Sequence, residues 1–262
     1  MLTAAKRIVI KIGSSLIIGE DGFGREEWLK TLVSDIAKLK RDGKEIIIVS
    51  SGAVAFGRHV LKYGTRILEI EEKQAAAACG QISLIAMWAE KLQALQEWFY
   101  PAQILLTADD INNEIRSTNA SNTLETLLKN SRIVPIINEN DTVATEELRV
   151  GDNDTLAARV AQMAGADLLI LFSDIDGLYS ENPRKNHNAV FQAEIHAITP
   201  EIEAMAGGAG SAVGTGGMAT KIAAAKIAMK AGCNMIIARG TEEHPLKTLA
   251  DGGKCTKFIA KA

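Results

Sequence analysis

Apolar residues recur along the chain in six short runs that are separated by longer amphipathic stretches. Each run is five to seven residues long, rich in Ile, Val and Leu, and shows little polar alternation. Such runs are typical of strands that are covered on both faces. The pattern therefore predicts six buried strands: RIVIKI (7 to 12), EIIIVS (45 to 50), AQILL (102 to 106), RIVPIIN (132 to 138), DLLILFS (167 to 173) and NMIIAR (234 to 239).

Helical patterns lie between most of these runs. Alternating strands and helices predict an α/β fold, a three-layer α/β/α sandwich with a mainly parallel central sheet and right-handed crossovers. No linker or internal repeat divides the chain, so we expect a single domain over residues 1 to 262. The predicted helices cover residues 25 to 41, 69 to 98, 116 to 130, 152 to 164 and 217 to 231.

Two irregular stretches interrupt this alternation. The segment ENDTVATEELRVG, residues 139 to 151, alternates in polarity between a buried strand and a helix, which predicts an exposed hairpin. Residues 174 to 216 carry most of the Gly, Asn and Pro of the C-terminal half. Long irregular segments in compact domains are usually functional or disordered, so this second stretch is a candidate for ligand binding.

Composition narrows the class of protein. The chain has 262 residues, of which 47% are hydrophobic and 23% charged, and its formal net charge is −3. These values are ordinary for a globular protein, and no basic patch indicates a nucleic-acid partner. No apolar run approaches the roughly 20 residues of a membrane helix, and the first run is interrupted by Lys11. We therefore expect a cytoplasmic protein with neither a membrane nor a nucleic-acid partner.

The cysteines and histidines lie singly along the chain. They form no CxxC motif and no Cys/His cluster, so we predict neither a disulfide framework nor a protein metal site. No histidine has a neighbour that would make it a ligand or a base. The residues are Cys79, Cys233, Cys255, His59, His187, His196 and His244.

Candidate chemistry lies directly after the apolar runs. In open parallel sheets, ligands bind beyond the carboxyl ends of the strands. Here the first run ends in KIGSS with Lys11, the second in SSGA, the fourth in NEND and the fifth in SDIDG. Small residues at these turns leave main-chain N–H groups accessible near helix starts, which is the geometry that binds anions.

The segment VGTGGMATK, residues 213 to 221, is the richest of these motifs. Gly214, Gly216 and Gly217 precede a predicted helix, and Lys221 lies one turn inside it, where its side chain leans back toward the N-terminus. A phosphate chain would fit there; the alternative is a flexible surface loop with a solvated lysine. The Walker pattern is absent, and GTGGMA follows no strand, which disfavours a dinucleotide-binding oxidoreductase.

The segment VGDNDT places two carboxylates around one asparagine at the start of a predicted helix. One of Asp152, Asn153 and Asp154 is expected to cap that helix. The two carboxylates could equally orient lysine ammonium groups or a substrate amine. Spacing alone leaves these alternatives open.

Six motifs follow one another along the chain: KIGSS, VSSGA, VPIINENDTVAT, VGDND, LFSDIDGLYSENPR and VGTGGMATK. In this order they closely resemble the glutamate 5-kinases of the amino acid kinase family, from about Lys6 to the end of the chain. KxGxS and the DG turn are shared widely across that family. VPIINEND, VGDND and GTGGMxTK are more particular to its glutamate-specific members.

The resemblance implies phosphoryl transfer from Mg-ATP to the side-chain carboxylate of L-glutamate, the first step of proline biosynthesis. ATP and Mg²⁺ are the implied cofactors. Lys11 and Lys221 would bind the phosphates and stabilise the transferring group, with Asp154 orienting both. The implied glutamate-binding residues are Ser51, Asp141, Asn153 and Asp152, and the implied nucleotide-binding residues are Lys11, Ser173, Asp174, Thr215, Gly216, Gly217, Met218, Ala219, Thr220 and Lys221.

Organisation and partners are implied as well. The substrate-binding lobe would cover about residues 1 to 164 and the nucleotide-binding lobe about 165 to 262. Proline would be a feedback inhibitor. Relatives form dimers or tetramers, and the helical pattern at 69 to 98 carries more apolar surface than one buried stripe requires, although burial within the fold would also explain it. Many relatives add a C-terminal PUA domain; we expect none here, and hence no nucleic-acid role.

Two alternatives to a glutamate kinase stay open on sequence alone. A sister amino acid kinase, acting on carbamate, aspartate, acetylglutamate or a nucleotide, would share both lysines but need other residues over 138 to 153. A non-catalytic sensor would keep the fold and bind an amino acid. The presence of both lysines and both aspartates argues against the sensor.

Overall fold

One mixed sheet forms the centre of the molecule. The computed structural model of the chain describes residues 1–19, 21–96, 98–144, 153–207 and 217–261. Within them, eight strands pair in the order β3-β4-β2-β1-β5-β9-β10-β8, and β6 and β7 form a separate two-stranded sheet. The strands are β1 Arg7–Ile12, β2 Glu45–Ser50, β3 Tyr100–Leu106, β4 Ile133–Glu139, β5 Leu168–Ser173, β6 Leu178–Tyr179, β7 Phe191–Gln192, β8 Glu194–Ile195, β9 Asn234–Arg239 and β10 Cys255–Phe258.

Helices cover both faces of the sheet, and each face has its own hydrophobic core. This arrangement confirms the predicted three-layer α/β/α class. Among the described helices, none is long and apolar enough to cross a membrane. The helices are α1 Ser14–Ile17, α2 Glu26–Arg41, α3 Ala53–Val60, α4 Ile70–Gln93, α5 Ala108–Asn112, α6 Glu114–Leu128, α7 Asn153–Met163, α8 Pro200–Met205, α9 Met218–Lys230 and α10 Pro245–Ala250.

The six predicted strands are all present, and their neighbours in the sheet are parallel from β3 through β9. The sheet is therefore mainly parallel, as predicted. Strand β10 is the exception, because it pairs antiparallel with β9, with Cys255 opposite Ala238. Its four-residue segment CTKF alternates in burial and lacks a continuous apolar run, which is why the sequence pattern did not indicate it.

Alternation along β1 determines which layer each side chain enters. Ile8, Ile10 and Ile12 belong to one core, whereas Val9 belongs to the other. Because successive side chains of a strand point to opposite faces, Lys11 shares the face of Val9. Helix α7 and helix α9 contribute buried residues to that same core. The first candidate lysine is thereby directed toward these two helices.

Local signals explain where helices differ from the predicted bounds. Helix α4 begins after Glu69, whose side chain forms a capping box with Glu72, and it ends at Gln93 rather than at residue 98. Helix α6 begins two residues earlier than predicted because the side chain of Asn113 accepts a hydrogen bond from the amide of Arg116. The predicted hairpin over residues 139 to 151 extends into residues 145–152, which lie outside the described part of the chain.

Helices α3 and α4 pack unusually closely through two glycines. A Cβ atom on Gly57 would lie 1.7 Å from the carbonyl oxygen of Ala76, and one on Gly80 would lie 1.8 Å from that of Ala53. No larger residue fits at either position without moving a helix backbone. Helix α3 was not predicted from sequence, and it begins directly after Gly52, which has a φ of 123°.

Candidate active site

A cavity of about 760 Å³ opens beside the carboxyl ends of β1, β2, β4 and β5. This volume lies in the usual range for a small-molecule site. Its position agrees with the general rule for open parallel sheets. Seven of the residues selected from the sequence line it: Lys11, Ser51, Asp141, Asn153, Ser173, Asp174 and Lys221.

Two lysines and one aspartate form a buried ionic cluster on one side of this cavity. The Nζ atom of Lys11 lies 2.6 Å from Oδ1 of Asp154, and Nζ of Lys221 lies 2.9 Å from Oδ2 of the same carboxylate. The Asp154 side chain is fully buried, and both lysines are nearly so. Lys11 and Lys221 therefore share one counterion, and both also reach the cavity wall.

The carboxylate at the centre of this cluster is ionised. Burial raises the pKa of Asp154, but the charges and hydrogen bonds of Lys11 and Lys221 outweigh burial and hold that pKa below its ordinary value. Two ammonium groups beside one carboxylate leave a net positive charge in a low-dielectric environment. Such a wall attracts anions.

The first turn of α9 contributes more than its lysine. The hydroxyl of Thr220 donates to the carbonyl of Gly217 at 2.7 Å and lies 3.1 Å from Oδ2 of Asp154. Gly217 is the N-cap residue, and the first turn of α9 contains no acidic residue. The positive end of the helix dipole therefore adds to the charge of the two lysines. Met218 and Ala219 occupy the same turn.

A hydrogen-bonded amide network forms another part of the cavity wall. Nδ2 of Asn153 donates to Oγ of Ser51 at 2.6 Å and to Oδ1 of Asn138 at 2.9 Å. Nδ2 of Asn138 in turn donates to Oε1 of Gln81 at 2.9 Å. The network connects helix α7 with β4 and α4, so the orientation of each amide is specified by its neighbours.

Ser173 is the last residue of β5, Asp174 follows it, and both line the cavity. The hydroxyl of Ser173 donates to Oδ1 of Asp174 at 3.1 Å, and Arg184 donates to Oδ2 at 2.8 Å. Burial raises the pKa of Asp174, yet these hydrogen bonds and the charge of Arg184 leave it lower than usual. Arg184 was not selected from the sequence, although it is the last residue of the motif LFSDIDGLYSENPR.

Three of the residues selected from the sequence lie outside the described part of the chain: Asp152, Thr215 and Gly216.

Sequence reasoning also missed residues that line the cavity. Asn138 and Glu139 are the last two residues of β4 and belong to the NEND motif, so their position at the carboxyl end of a strand was a usable signal. Arg58 and Lys73 also line the cavity, from α3 and α4. Within the described residues, no group of three or more His, Cys, Asp or Glu side chains could hold a metal ion.

A comparison with protein families shows the family to which the chain belongs. The model of the amino acid kinase family matches residues 6–239 of the chain. The chain belongs to the amino acid kinase family. Its cavity, with two lysines from β1 and α9 around one aspartate, is therefore the candidate active site of an amino acid kinase.

Two named relatives of this amino acid kinase are similar in sequence over almost the whole chain. A protein named glutamate 5-kinase from Paramagnetospirillum magneticum is 59% identical over 259 residues, which cover 98% of this chain and 69% of the relative. Another of the same name, from Bradyrhizobium diazoefficiens, is 50% identical over 262 residues, which cover all of this chain and 69% of that relative.

Solved structures of more distant proteins share the fold of this amino acid kinase. Carbamate kinase from Giardia lamblia bound to AMP-PNP superposes with a TM-score of 0.70 at 16% identity, covering 99% of this chain and 100% of that one. UMP kinase from Ureaplasma parvum superposes with a TM-score of 0.66 at 16% identity, covering 97% and 98% of the two chains. At this identity the likeness concerns the fold alone.

Proposed function

We propose that the chain phosphorylates the γ-carboxylate of L-glutamate with ATP, producing γ-glutamyl phosphate and ADP. One structural observation carries the proposal: Lys11 and Lys221 share the buried carboxylate of Asp154 beside a single cavity. The glutamate 5-kinase relatives, at 50% to 59% identity over nearly the whole chain, supply the substrate. The product would be the first intermediate of proline biosynthesis.

The chemistry requires charge rather than a base. A carboxylate is already a nucleophile at neutral pH, so one of its oxygens attacks the γ-phosphorus while the bond to the bridging oxygen breaks and ADP leaves with the electron pair. The barrier lies in bringing two anions together. We assign the neutralisation of that charge to Lys11 and Lys221, because both ammonium groups are bound by Asp154.

Binding roles follow from the position of each residue along the cavity. We assign Ser51, Asn153 and Asp141 to L-glutamate, because an amide network and a carboxylate suit its ammonium and side-chain carboxylate. Asp152 is proposed to join them. The nucleotide would be bound by Ser173 and Asp174 at the end of β5 and by residues 215 to 221, which include the N-terminus of α9 and its lysine.

Mg²⁺ is proposed to enter with ATP. Carboxylates of Asp174 and Glu139 line the cavity, and carboxylate oxygen is the protein ligand that Mg²⁺ prefers. The ion usually keeps waters and phosphate oxygens in its coordination shell, so one or two such carboxylates suffice. When bound, it neutralises phosphate charge.

Three further features belong to this proposal: feedback inhibition by proline, assembly into a dimer or tetramer, and a cytoplasmic location. In α4, the buried residues Leu84, Trp88 and Leu92 fill the core of this chain, whereas Ile82 is 71% exposed. That exposed residue is available for a subunit contact. Light scattering of the purified protein tests the assembly, and inhibition by added proline tests the feedback.

An acyl-hydroxamate assay tests the reaction itself. The protein is incubated with Mg-ATP, hydroxylamine and, in separate reactions, L-glutamate, L-aspartate, N-acetylglutamate or carbamate. We expect hydroxamate from L-glutamate at a rate at least tenfold above the others. Turnover of aspartate without turnover of glutamate would make the substrate assignment wrong, and no turnover with any acid would favour the amino acid sensor.

A further inference from the structure

The α-carboxylate of the substrate has no cationic partner among the residues assigned so far. This inference rests on the proposed function, since it concerns how L-glutamate is bound. The backbone end of glutamate carries one ammonium group and one carboxylate. Asp141 and the amide of Asn153 suit the ammonium group, whereas Lys11 and Lys221 are held beside Asp154 for the transferring phosphoryl group. A further cationic side chain at the cavity would suit that carboxylate.

Lys73 supplies a cation at the cavity. It lies in α4, is half-buried and lines the same cavity as Asp141 and Asn153. Within the described residues, no hydrogen bond or ion pair engages its ammonium group. A lysine that is partly removed from water beside a ligand cavity, and that no described carboxylate engages, is available to an anionic ligand.

Neighbouring contacts place Lys73 beside the segment that carries Asp141. The adjacent residue, Gln74, donates from Nε2 to the carbonyl oxygen of Ala144 at 3.2 Å. Further along the same helix, Gln81 accepts from Asn138 at 2.9 Å. Helix α4 is thus fixed against β4 and the segment after it, and Lys73 and Asp141 line the same cavity with opposite charges.

Arg58 also lines the cavity, and its contacts differ from those of Lys73. Its Nη1 atom donates to the carbonyl oxygens of Gly64 and Arg66, at 3.0 Å and 2.8 Å. These bonds hold the connection between α3 and α4. Arg58 therefore has a structural role in the described chain, whereas the Lys73 ammonium is engaged by none of its described neighbours.

We propose that the ammonium group of Lys73 binds the α-carboxylate of L-glutamate and makes the site selective for an α-amino acid. The opposite charges of Asp141 and Lys73 would match the ammonium and carboxylate of the substrate backbone. The contact is made equally in the ground state and in the transition state, because the α-carboxylate takes no part in the reaction. Lys73 would therefore set KM more than kcat.

An analogue of the substrate in which a neutral amide replaces the α-carboxylate tests this assignment. L-Isoglutamine is the α-amide of L-glutamate, so it keeps the ammonium group and the γ-carboxylate but lacks the α-carboxylate charge. Hydroxamate formation from both compounds is measured with the wild type, Lys73→Met, Lys73→Arg and the control Lys38→Met, which changes an exposed lysine of α2. Values of kcat/KM come from initial slopes at low substrate concentration.

We expect Lys73→Met to lower kcat/KM for L-glutamate by about 10- to 100-fold, the scale of a lost hydrogen bond to a charged group. For L-isoglutamine it should stay within about twofold, so the preference of the wild type for glutamate disappears. Lys73→Arg should keep most of that preference, and Lys38→Met all of it.

Two results would overturn the assignment: an equal loss for both compounds in Lys73→Met, or a wild type that does not distinguish them. Either would leave the proposed function intact, provided that the wild type forms hydroxamate from L-glutamate. A wild type without that activity would refute the proposed function itself, before any variant is compared.

Discussion

The ammonium nitrogen of Lys11 lies 2.6 Å from Oδ1 of Asp154, and both side chains are buried. Lys221 approaches the other oxygen of the same carboxylate at 2.9 Å. A buried carboxylate that is shared by two ammonium groups orients both and leaves one positive charge in excess. The arrangement is suited to an anionic ligand that carries more charge than one lysine could neutralise.

Removing either lysine of this cluster should slow phosphoryl transfer. We expect Lys11→Met or Lys221→Met to lower kcat by about 10² or more, the scale observed when one preorganised charge-stabilising donor is lost. The hydroxamate assay with L-glutamate measures this effect. Lys230→Met is the matched control, because Lys230 is exposed at the end of α9. Wild-type rates in both active-site variants would show that the cluster has no role in the reaction.

Replacing the shared carboxylate should affect stability as well as activity. Asp154→Asn keeps the shape of the side chain but leaves two buried ammonium groups without a counterion, which should destabilise the fold by about 3–5 kcal/mol. Urea denaturation at pH 7 measures the difference.

The dependence on pH gives the second test of Asp154. Its pKa is lowered in the folded chain by Lys11 and Lys221, so its contribution to stability is present above the unfolded pKa of about 3.9 and is lost as pH falls through the folded value. The difference between wild type and Asp154→Asn should therefore be constant from about pH 5 to 8 and shrink in acid. A difference that already declines between pH 8 and 6 would contradict this account.

Close packing between α3 and α4 predicts a strong effect of a single methyl group. A Cβ on Gly80 would lie 1.8 Å from the carbonyl oxygen of Ala53, so Gly80→Ala should destabilise the fold by about 3 kcal/mol. Ala86→Ser, at an exposed position of the same helix, should change stability by less than about 0.5 kcal/mol. Chemical denaturation measures the free energy of unfolding of both variants. Equal free energies would mean that α3 and α4 can move apart without destabilising the fold.

The lowered pKa of Lys40 predicts that the stability of the fold changes at alkaline pH. Burial lowers the pKa of Lys40 to about 8, although Glu45 opposes this, and its Nζ donates to the carbonyl of Ile133 at 2.8 Å. Between about pH 8 and the unfolded pKa of about 10.4, the unfolded chain binds more protons than the folded one, so stability rises with pH.

Comparison with a variant that lacks Lys40 isolates this effect. Relative to Lys40→Met, the wild type should gain on the order of 2 kcal/mol between pH 7.5 and 10, less than the full linkage value because the ammonium keeps some contact with water. Lys38→Met, exposed on the same helix, should run parallel to the wild type over that range. A parallel profile for Lys40→Met would contradict the lowered pKa.

The parts of the fold that the sequence predicted share one property: their signal is continuous along the chain. Strands β1, β2 and β9 have the predicted bounds because each contains at least three consecutive apolar residues. Helix α3 was missed because it is short and follows directly after Gly52, and the contact of Gly57 with α4 depends on a partner that spacing along the chain does not reveal.

The candidate site shows the same division. Turn residues after the strands were predicted as site residues, because the carboxyl ends of parallel strands meet at one edge of the sheet. The bond between Asn153 and Ser51 joins residues 102 positions apart, so the network that orients them was not predictable from spacing. Lys73 gave no signal at all, since a lysine in a helix is ordinarily solvated.

The ionic cluster also has a consequence for synthesis of the protein. Its members belong to β1, α7 and α9, and Asp154 and Lys221 are separated by 67 positions. A nascent chain that has emerged from the ribosome only as far as α7 can pair one ammonium group with that carboxylate, but it still lacks the second. The cluster is completed only when residue 221 emerges, so, on the proposed function, shorter translation products would have no means of transferring phosphate through it.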